Sequence, residues 1–411
     1  MPPARGAGKD QRIILICWLA YFAAYIGRLN YNASIVSIIE ALHTGKEQAG
    51  LVSSCFFFAY GAGQLVNGVL SHRYNSKYMV FFALTASAAI NFSMPLCGNI
   101  AVMKYLWLLN GAVQSILWTT LIKTISLRVS DAKIPRAIVV MSTPTAAGTF
   151  LAYGISALSD RLGSWKAPFF TATVVLLVTA ALWFLLYGRS DPPQRVEKAQ
   201  ARSGPRISRA MLPVLALTAG AGIANGFIKD GVTTWVPSVL YESFGLDRSF
   251  SILLTLLLPL VSMIAAAMTK KVHDRVASLS AMDLIFYGAA TLLCACILLF
   301  LHVKVMWAIL LCFVCVACAM HMVNNVITSI FPLDHRALLD AGFAAGLLNT
   351  FCYVGSTSAT YALGAVSERS GWQTVFLLVL GVSAAAVLLS LCGVFAEKRA
   401  AQASSEERSE V

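Results

Sequence analysis

Runs of about twenty mostly apolar residues recur twelve times along this chain, and each is long enough to cross the hydrocarbon layer of a bilayer as a helix. They fall near 13–39, 48–70, 79–97, 101–125, 137–158, 167–187, 211–241, 250–269, 281–301, 305–330, 341–364 and 373–395. No water reaches backbone N–H and C=O groups inside a bilayer, so each run must close its own hydrogen bonds as an α-helix. Hydrophobic residues make up 58% of the 411 and charged residues only 12%. That charged share is about half the norm for a soluble domain. The reading is an all-α, polytopic membrane protein with twelve transmembrane helices, which excludes soluble enzyme folds and disordered chains.

Basic residues give the orientation. Counted from the amino terminus, the polar segments on one side of the runs hold 22 Lys and Arg, and those on the other side hold 7. By the positive-inside bias, both termini and the central connection are cytoplasmic. The net charge of +12 is thereby spread over topology-setting connections rather than gathered into a nucleic-acid surface. Residues 188–210 are polar and basic and read as a cytoplasmic linker between six-helix bundles at 1–187 and 211–395, with a polar tail at 396–411. The ten cysteines lie mostly within apolar runs, Cys312, Cys315 and Cys318 among them, and read as packing residues rather than disulfides or metal ligands. The first run is long and carries Arg28, so it reads as a retained span and not a cleavable signal.

The halves repeat. Ser159-Asp160-Arg161-Leu162-Gly163-Ser164-Trp165, after the fifth run, is echoed by Ser367-Glu368-Arg369-Ser370-Gly371-Trp372 after the eleventh. His72-Arg73 finds its counterpart in Asp274-Arg275, and Arg28 in the first run finds Lys229 in the seventh. Three matches in one order mark a transporter built from two six-helix repeats.

Arg28 and Lys229 carry the chemical argument. A cation at the centre of a membrane helix costs about 2.5–3.5 kcal/mol on insertion scales, so it is retained where it faces a cavity, pairs with an acid or binds something. An interhelical ion pair or a snorkelling side chain would also explain either residue, and adjacent Asp230 is a partial neutraliser for Lys229. Repeat symmetry favours two cations converging on an anion where the bundles meet. A guanidinium offers a bidentate fork and an ammonium a point charge. Tyr21 and Tyr25, two turns and one turn before Arg28, share its face and offer hydroxyl donors, or else simple helix packing. His321, Asn324 and Asn325 in the tenth run are polar groups at membrane depth that either line a cavity or bond between helices.

At these residues the chain resembles the organophosphate:phosphate antiporters of the major facilitator superfamily, the bacterial glycerol-3-phosphate and hexose-phosphate transporters. Tyr21-x-x-x-Tyr25-x-x-Arg28-x-Asn30 matches the family's first span, whose arginine grips phosphate. Asn67-Gly68-Val69-Leu70-Ser71-His72-Arg73-Tyr74-Asn75, Asn110-Gly111-x-x-Gln114-Ser115-x-x-Trp118, Lys229-Asp230-Gly231-Val232-x-x-Trp235-x-Pro237 and Phe351-x-Tyr353-x-Gly355 follow in the family's order. The resemblance implies substrate binding by Arg28, Lys229, Tyr21, Tyr25, Gln64, Thr145 and Tyr353. It implies inner gating by Arg73, Lys77, Asp274 and Arg275 of the cytoplasmic loop motif. Four positions depart from the family. Lys229 replaces its second arginine, Gln64 a lysine, Thr145 the histidine of the fifth span, and Asp230 a tyrosine. Asp230 thereby adds a titratable acid suited to proton coupling.

The sequence holds no Gly-x-x-x-x-Gly-Lys-[Ser/Thr] loop and no nucleophile–base or metal-ligand set, so gradient-driven transport is expected, without enzymatic activity or cofactors. The expected cargo is a small organic anion: a phosphate ester exchanged for inorganic phosphate. Two alternatives stay open, a proton-coupled carboxylate symporter using Asp230 and a transporter-like sugar-phosphate sensor. The expected setting is a bacterial inner membrane, as a monomer in the lipid bilayer whose partners are the organic anion and inorganic phosphate or protons, with no nucleic acid.

Overall fold

The computed structural model describes residues 7–70, 74–188, 211–276, 278–335 and 341–409. The helices there are α1 (Ala7–Ala33), α2 (Lys46–Leu70), α3 (Ser76–Ser93), α4 (Ile100–Arg128), α5 in two pieces (Ile134–Met141 and Pro144–Arg161) and α6 (Ala167–Leu186). There follow α7 (Leu212–Phe244), α8 in two pieces (Arg248–Thr255 and Leu257–His273), α9 (Leu279–Val303) and α10 (Met306–Asn325). Helix α10 runs on through a π-helical turn, Val326–Ile330, into Phe331–Asp334. The stretch Ala341–Ser409 is helical except at Gly371, whose φ of 77° separates α11 (341–370) from α12 (372–409).

Local chemistry sets several of these boundaries. Asn75, Asn99, Asp247 and Ser278 each accept from a backbone N–H of the first turn of the helix that follows, satisfying donors that would otherwise be orphaned. Gly245 ends α7 at φ 63°, a left-handed position that suits glycine. Pro144 starts the second piece of α5, where its missing N–H costs nothing.

The twelve apolar runs are twelve helical spans, with differences in continuity. The first run breaks at Ser34, beyond which Ile35–Ala41 forms a separate short helix. The connection expected between the eleventh and twelfth spans shrinks to the single turn at Gly371. Among the described residues, ten stretches are long and apolar enough to cross a membrane. The number falls short of twelve because α5 is divided and α11 runs into α12. Large apolar side chains stay exposed on the spans, including Phe82, Leu185, Leu292 and Leu388. Such a surface suits hydrocarbon, not water.

The chain forms two compact units, Met1–Val196 with Leu246–Pro259, and Glu197–Gly245 with Leu260–Val411. The first piece of α8 and the opening residues of the second, to Pro259, thus belong to the first unit, and α8 from Leu260 onward to the second. In the first unit, Trp107, Trp183 and Phe169 are fully buried, and Ile13, Cys17, Leu84, Leu121 and Leu176 lie in one apolar core. In the second, α7 packs along α11, and Trp235, Phe313 and Phe376 are buried. All ten cysteines are free. The linker expected at 188–210 lies outside the described residues except for Gly188.

Candidate functional site

In the first unit, α1 presents Tyr21, Tyr25 and Arg28 at spacings of four and three, which places them on one face. Arg28 is buried, and its guanidinium carbon stands 4.8 Å from the Tyr25 ring centroid, 5.1 Å from Phe56 and 4.5 Å from Tyr60. Phe56 and Tyr60 stack one turn apart on α2, so the cation sits within an aromatic cage. Each such contact is worth about 0.5–2 kcal/mol, which offsets part of the cost of burying the charge. A cavity of ≈ 10 Å³, room for about one water, adjoins it, lined by Arg28, Asn32, Ser53 and Trp107 among others.

The backbone beneath Arg28 is pinned. The Gly27 carbonyl accepts from both Asn91 Nδ2 (3.0 Å) and Asn110 Nδ2 (3.0 Å), and Asn30 Nδ2 donates to Asn91 Oδ1 (2.8 Å). Three helices therefore share one buried amide network at the turn that carries the cation. Asn91→Ala is expected to cost about 1–3 kcal/mol, because the Asn30 amide loses its acceptor and the Gly27 carbonyl one of its two donors. A lowered thermal midpoint of the purified protein would report it.

Tyr21 is buried, edge-on to Tyr25 (5.1 Å) and tilted against Trp118 (4.9 Å). Gln64 is buried one turn beyond Tyr60 on α2. Thr145 sits at the start of the second piece of α5 and donates to the Ser142 carbonyl (3.2 Å). One turn on, a Cβ at Gly148 would come within 2.6 Å of Tyr25 Cβ and 2.8 Å of the Phe22 carbonyl oxygen. Only a glycine lets α5 press this closely on the Tyr25 turn. The structure thus sets Arg28, Tyr25 and Tyr21 along two turns of α1, with α5 against the Tyr25 turn.

In the second unit, α7 is fixed on both sides of Lys229. Asn225 Nδ2 donates to the Met320 carbonyl (2.7 Å) and Trp235 Nε1 to the Thr360 carbonyl (3.1 Å). Between these pins, Lys229 Nζ donates to Asn324 Oδ1 (3.4 Å) and lies 3.7 Å from Asp230 Oδ1. Ser356 Oγ donates to the other carboxylate oxygen of Asp230 (2.6 Å). Both side chains keep about a fifth of their surface, 19% for Lys229 and 22% for Asp230, so neither is sealed in the core. His321, one turn before Asn324, feels the charges of both. Tyr353, half-buried, lies one turn before Ser356 on α11. Asn324 is thus a partner of Lys229, while Asn325 bonds between helices, to Thr269 Oγ1 (3.5 Å).

Among the gating candidates, Lys77 donates to the Gly188 carbonyl (3.0 Å) and lies 4.3 Å over the Phe184 ring. Asp274 and Arg275 are exposed in the turn after α8, and Arg73 lies outside the described residues. Sequence reasoning passed over Phe56, Asn91 and Ser356. The spacing of Phe56 and Tyr60 was the available signal for the cage; the other two announce themselves only through partners on distant helices.

The fold is twelve helical spans in two units, with a buried cation, Arg28, on the first and a partly exposed one, Lys229, on the seventh. Residues 17–357 match the Major Facilitator Superfamily, and the chain belongs to that family. Among its relatives is the membrane sensor protein UhpC of Escherichia coli (strain K12), 22% identical over 408 residues, covering 93% of this chain and 91% of that protein. A hexuronate transporter of Bacillus subtilis (strain 168) is 23% identical over 298 residues, 70% of each chain. A probable hexose phosphate transport protein of Chlamydia pneumoniae is 27% identical over 107 residues, 26% of this chain and 24% of that one. In fold, the chain is similar to the nucleoside transporter NupG, with a TM-score of 0.73 at 15% identity over 94% of this chain and 98% of that one.

Proposed function

We propose that this protein is a secondary transporter of a small organic anion, a phosphate ester exchanged for inorganic phosphate, with Arg28 and Lys229 supplying the positive charges that bind it. The observation that carries the reading is Arg28 itself, a guanidinium held at membrane depth by three aromatic rings and a pinned backbone turn. Aromatic faces stabilise a guanidinium through its charge and so favour keeping a cation at this turn of α1. The probable hexose phosphate transport protein among the relatives supports a sugar phosphate as cargo. Tyr21, Tyr25, Gln64, Thr145 and Tyr353 belong to the same proposed binding set, and both termini are proposed to face the cytoplasm of a bacterial cell.

A second reading, proton-coupled uptake of an organic carboxylate, is favoured by the Lys229–Asp230 pair and by the hexuronate transporter of similar sequence. Proteoliposomes separate the two. Exchange requires phosphate inside, whereas symport requires a proton gradient and runs without internal phosphate. A sensor would bind sugar phosphate with little flux in either regime.

Arg28→Gln and Lys229→Gln are each expected to lower anion transport at least about tenfold, since a hydrogen bond to a charged group is worth about 1.5–3 kcal/mol. Both variants should insert and purify as folded protein. Transport at the normal rate by Lys229→Gln would sink the two-cation site.

A further inference from the structure

A polar seam that the anion site does not use runs between α9 and α12. On α12, Ser383, Ser390 and Glu397 recur every seventh residue, so they share one face. Both ends of that row bond to α9. Glu397 accepts from Ser278 Oγ (2.6 Å), Ser280 Oγ (2.6 Å) and the Ser280 backbone N–H (2.9 Å), while Ser383 Oγ lies 2.8 Å from Thr291 Oγ1. On α9, Ser280, Asp283, Tyr287 and Thr291 follow at helical spacing and form the facing row. Ser390, in the middle of one row, therefore stands level with Asp283 in the other. The two helices press together here, since a Cβ at Gly393 would come within 2.6 Å of Ser280 Oγ.

The middle of this seam is where the polar groups are not satisfied. Asp283 and Ser390 each keep only 4% of their surface. Neither Asp283 Oδ1 nor Ser390 Oγ has a hydrogen-bond partner among the described residues. No Lys, Arg or His among those residues forms an ion pair with Asp283. The charge that Asp283 feels is that of a second acid, Glu397. Buried charges are paired or coordinate a metal ion, and an orphaned buried polar atom calls for a water or an ion. Two orphans on facing helices, beside two carboxylates, call for one group that satisfies them together.

We propose that Asp283, Ser390, Ser280 and Glu397 bind a sodium ion that ties α12 to α9. Every donor in the set is an oxygen, which suits a hard cation and not a soft one. Charge sets the valence. Glu397 is balanced at the start of α9, where it takes three hydrogen bonds and the helix dipole favours an anion. Asp283 is left as a single uncompensated negative charge, which one monovalent cation cancels. A proton would cancel it too, but Ser390 Oγ is not within hydrogen-bond reach to accept the resulting O–H. A cation instead bridges oxygens that do not bond to one another. Asp283 lies about one turn inside α9, and half-buried Glu397 stands nearer the helix end, a polar way in for an ion. The charge of Asp283 reaches Tyr287 on its own helix and Cys352 on α11, but Lys229, Asn324 and Ser356 take no part in the site. Sodium is thus expected to stabilise the second unit without travelling with the anion.

The test follows the thermal midpoint of the purified full-length protein as sodium chloride replaces choline chloride at constant ionic strength. Sodium at a hundredfold excess over its half-saturating concentration is expected to raise the midpoint by about 5–10 °C, because a ligand held only by the folded state stabilises it by mass action. Equilibrium dialysis with radioactive sodium should find one bound ion per chain. Asp283→Asn should fold, since a neutral amide needs no counter-charge, and should lose both the shift and the bound ion. Ser390→Ala changes no charge and should raise the half-saturating concentration about tenfold. Asp334→Asn removes an exposed acid of the same unit and should keep the full response. Equal midpoints in sodium and choline, stabilisation by magnesium but not sodium, or a full sodium response in Asp283→Asn would each overturn the proposal. So would loss of the response in Asp334→Asn, or a midpoint that rises only as pH falls, which would assign Asp283 a proton instead. Should Asp283→Asn fail to fold, Ser390→Ala decides, and an unchanged half-saturating concentration overturns the site. None of these outcomes bears on Arg28 or Lys229.

Discussion

Gly226→Ala is expected to cost the second unit about 3 kcal/mol or more, although by helix propensity alone the change should stabilise α7. Alanine is favoured over glycine by about 0.8–1 kcal/mol in a helix interior. Against that stands a new methyl group 1.7 Å from a backbone carbonyl oxygen of Cys352 and 2.9 Å from Ser356 Oγ. A backbone oxygen cannot rotate away as a side chain can. The helices must separate, and overpacking of this kind typically costs about 1–3 kcal/mol, occasionally more. For a unit of roughly two hundred residues that is a fall in thermal midpoint of about 6–12 °C. Gly346→Ala is the internal control, because nothing lies within 4 Å of its added Cβ, so the propensity gain should appear unopposed. Heating the detergent-solubilised variants and following the monodisperse fraction would measure both. Equal midpoints for the two variants would mean that α7 and α11 do not approach as closely as the carbonyl contact requires.

Gly226 also shows where reading the sequence stops. The twelve spans were legible because a bilayer allows one solution to the backbone hydrogen-bonding problem, so apolar length alone identifies each helix. Arg28 and Lys229 stood out because charge at membrane depth is costly and their positions repeat between the halves. What the sequence did not reveal is which residue each would meet. Ser356 is one hydroxyl among many on small-residue helices, and its bond to Asp230 spans 126 positions. Asn91 carries no charge and no repeat, yet it holds the Gly27 carbonyl 64 positions away. Phe56 has the periodicity of an ordinary apolar helix face, and its role against Arg28 follows only from how α2 packs. The break within α8 was silent in hydropathy, since that stretch remains apolar, whereas the break within α5 falls at the polar, proline-bearing Ser142-Thr143-Pro144.

Asp160→Arg is expected to release the first piece of α8 from the first unit, and Arg248→Asp in the same chain is expected to restore much of the loss. Asp160 entered the sequence argument only as part of a repeated loop, and Arg248 only as a charge that sets topology. In the structure, Asp160 accepts from Ser37 Oγ (2.6 Å) and Ser249 Oγ (2.9 Å), with Arg248 Nε at 3.6 Å. Arg248 also contacts Glu40 through Nη1. Beneath this polar layer, Ile252 and Leu256 pack with Ala33, Tyr153 and Ala157, so one end of α8 is held by charge above and apolar contact below. Burial decides which acid matters. Glu40 is 40% exposed and Asp160 only 8%, so water screens the first pair and much less the second. Glu40→Gln should therefore cost less than about 1 kcal/mol, as exposed ion pairs do. Asp160→Ala should cost about 2–4 kcal/mol, because it takes the acceptor from two serine hydroxyls and leaves the partly buried guanidinium with Glu40 alone. A double-mutant cycle on the thermal midpoints of Asp160→Arg, Arg248→Asp and the swapped pair isolates the charge interaction, with an expected coupling of about 1–3 kcal/mol. If the swapped pair is no more stable than either single variant, the hydroxyl bonds and the apolar layer hold the segment, and the ion pair contributes nothing measurable.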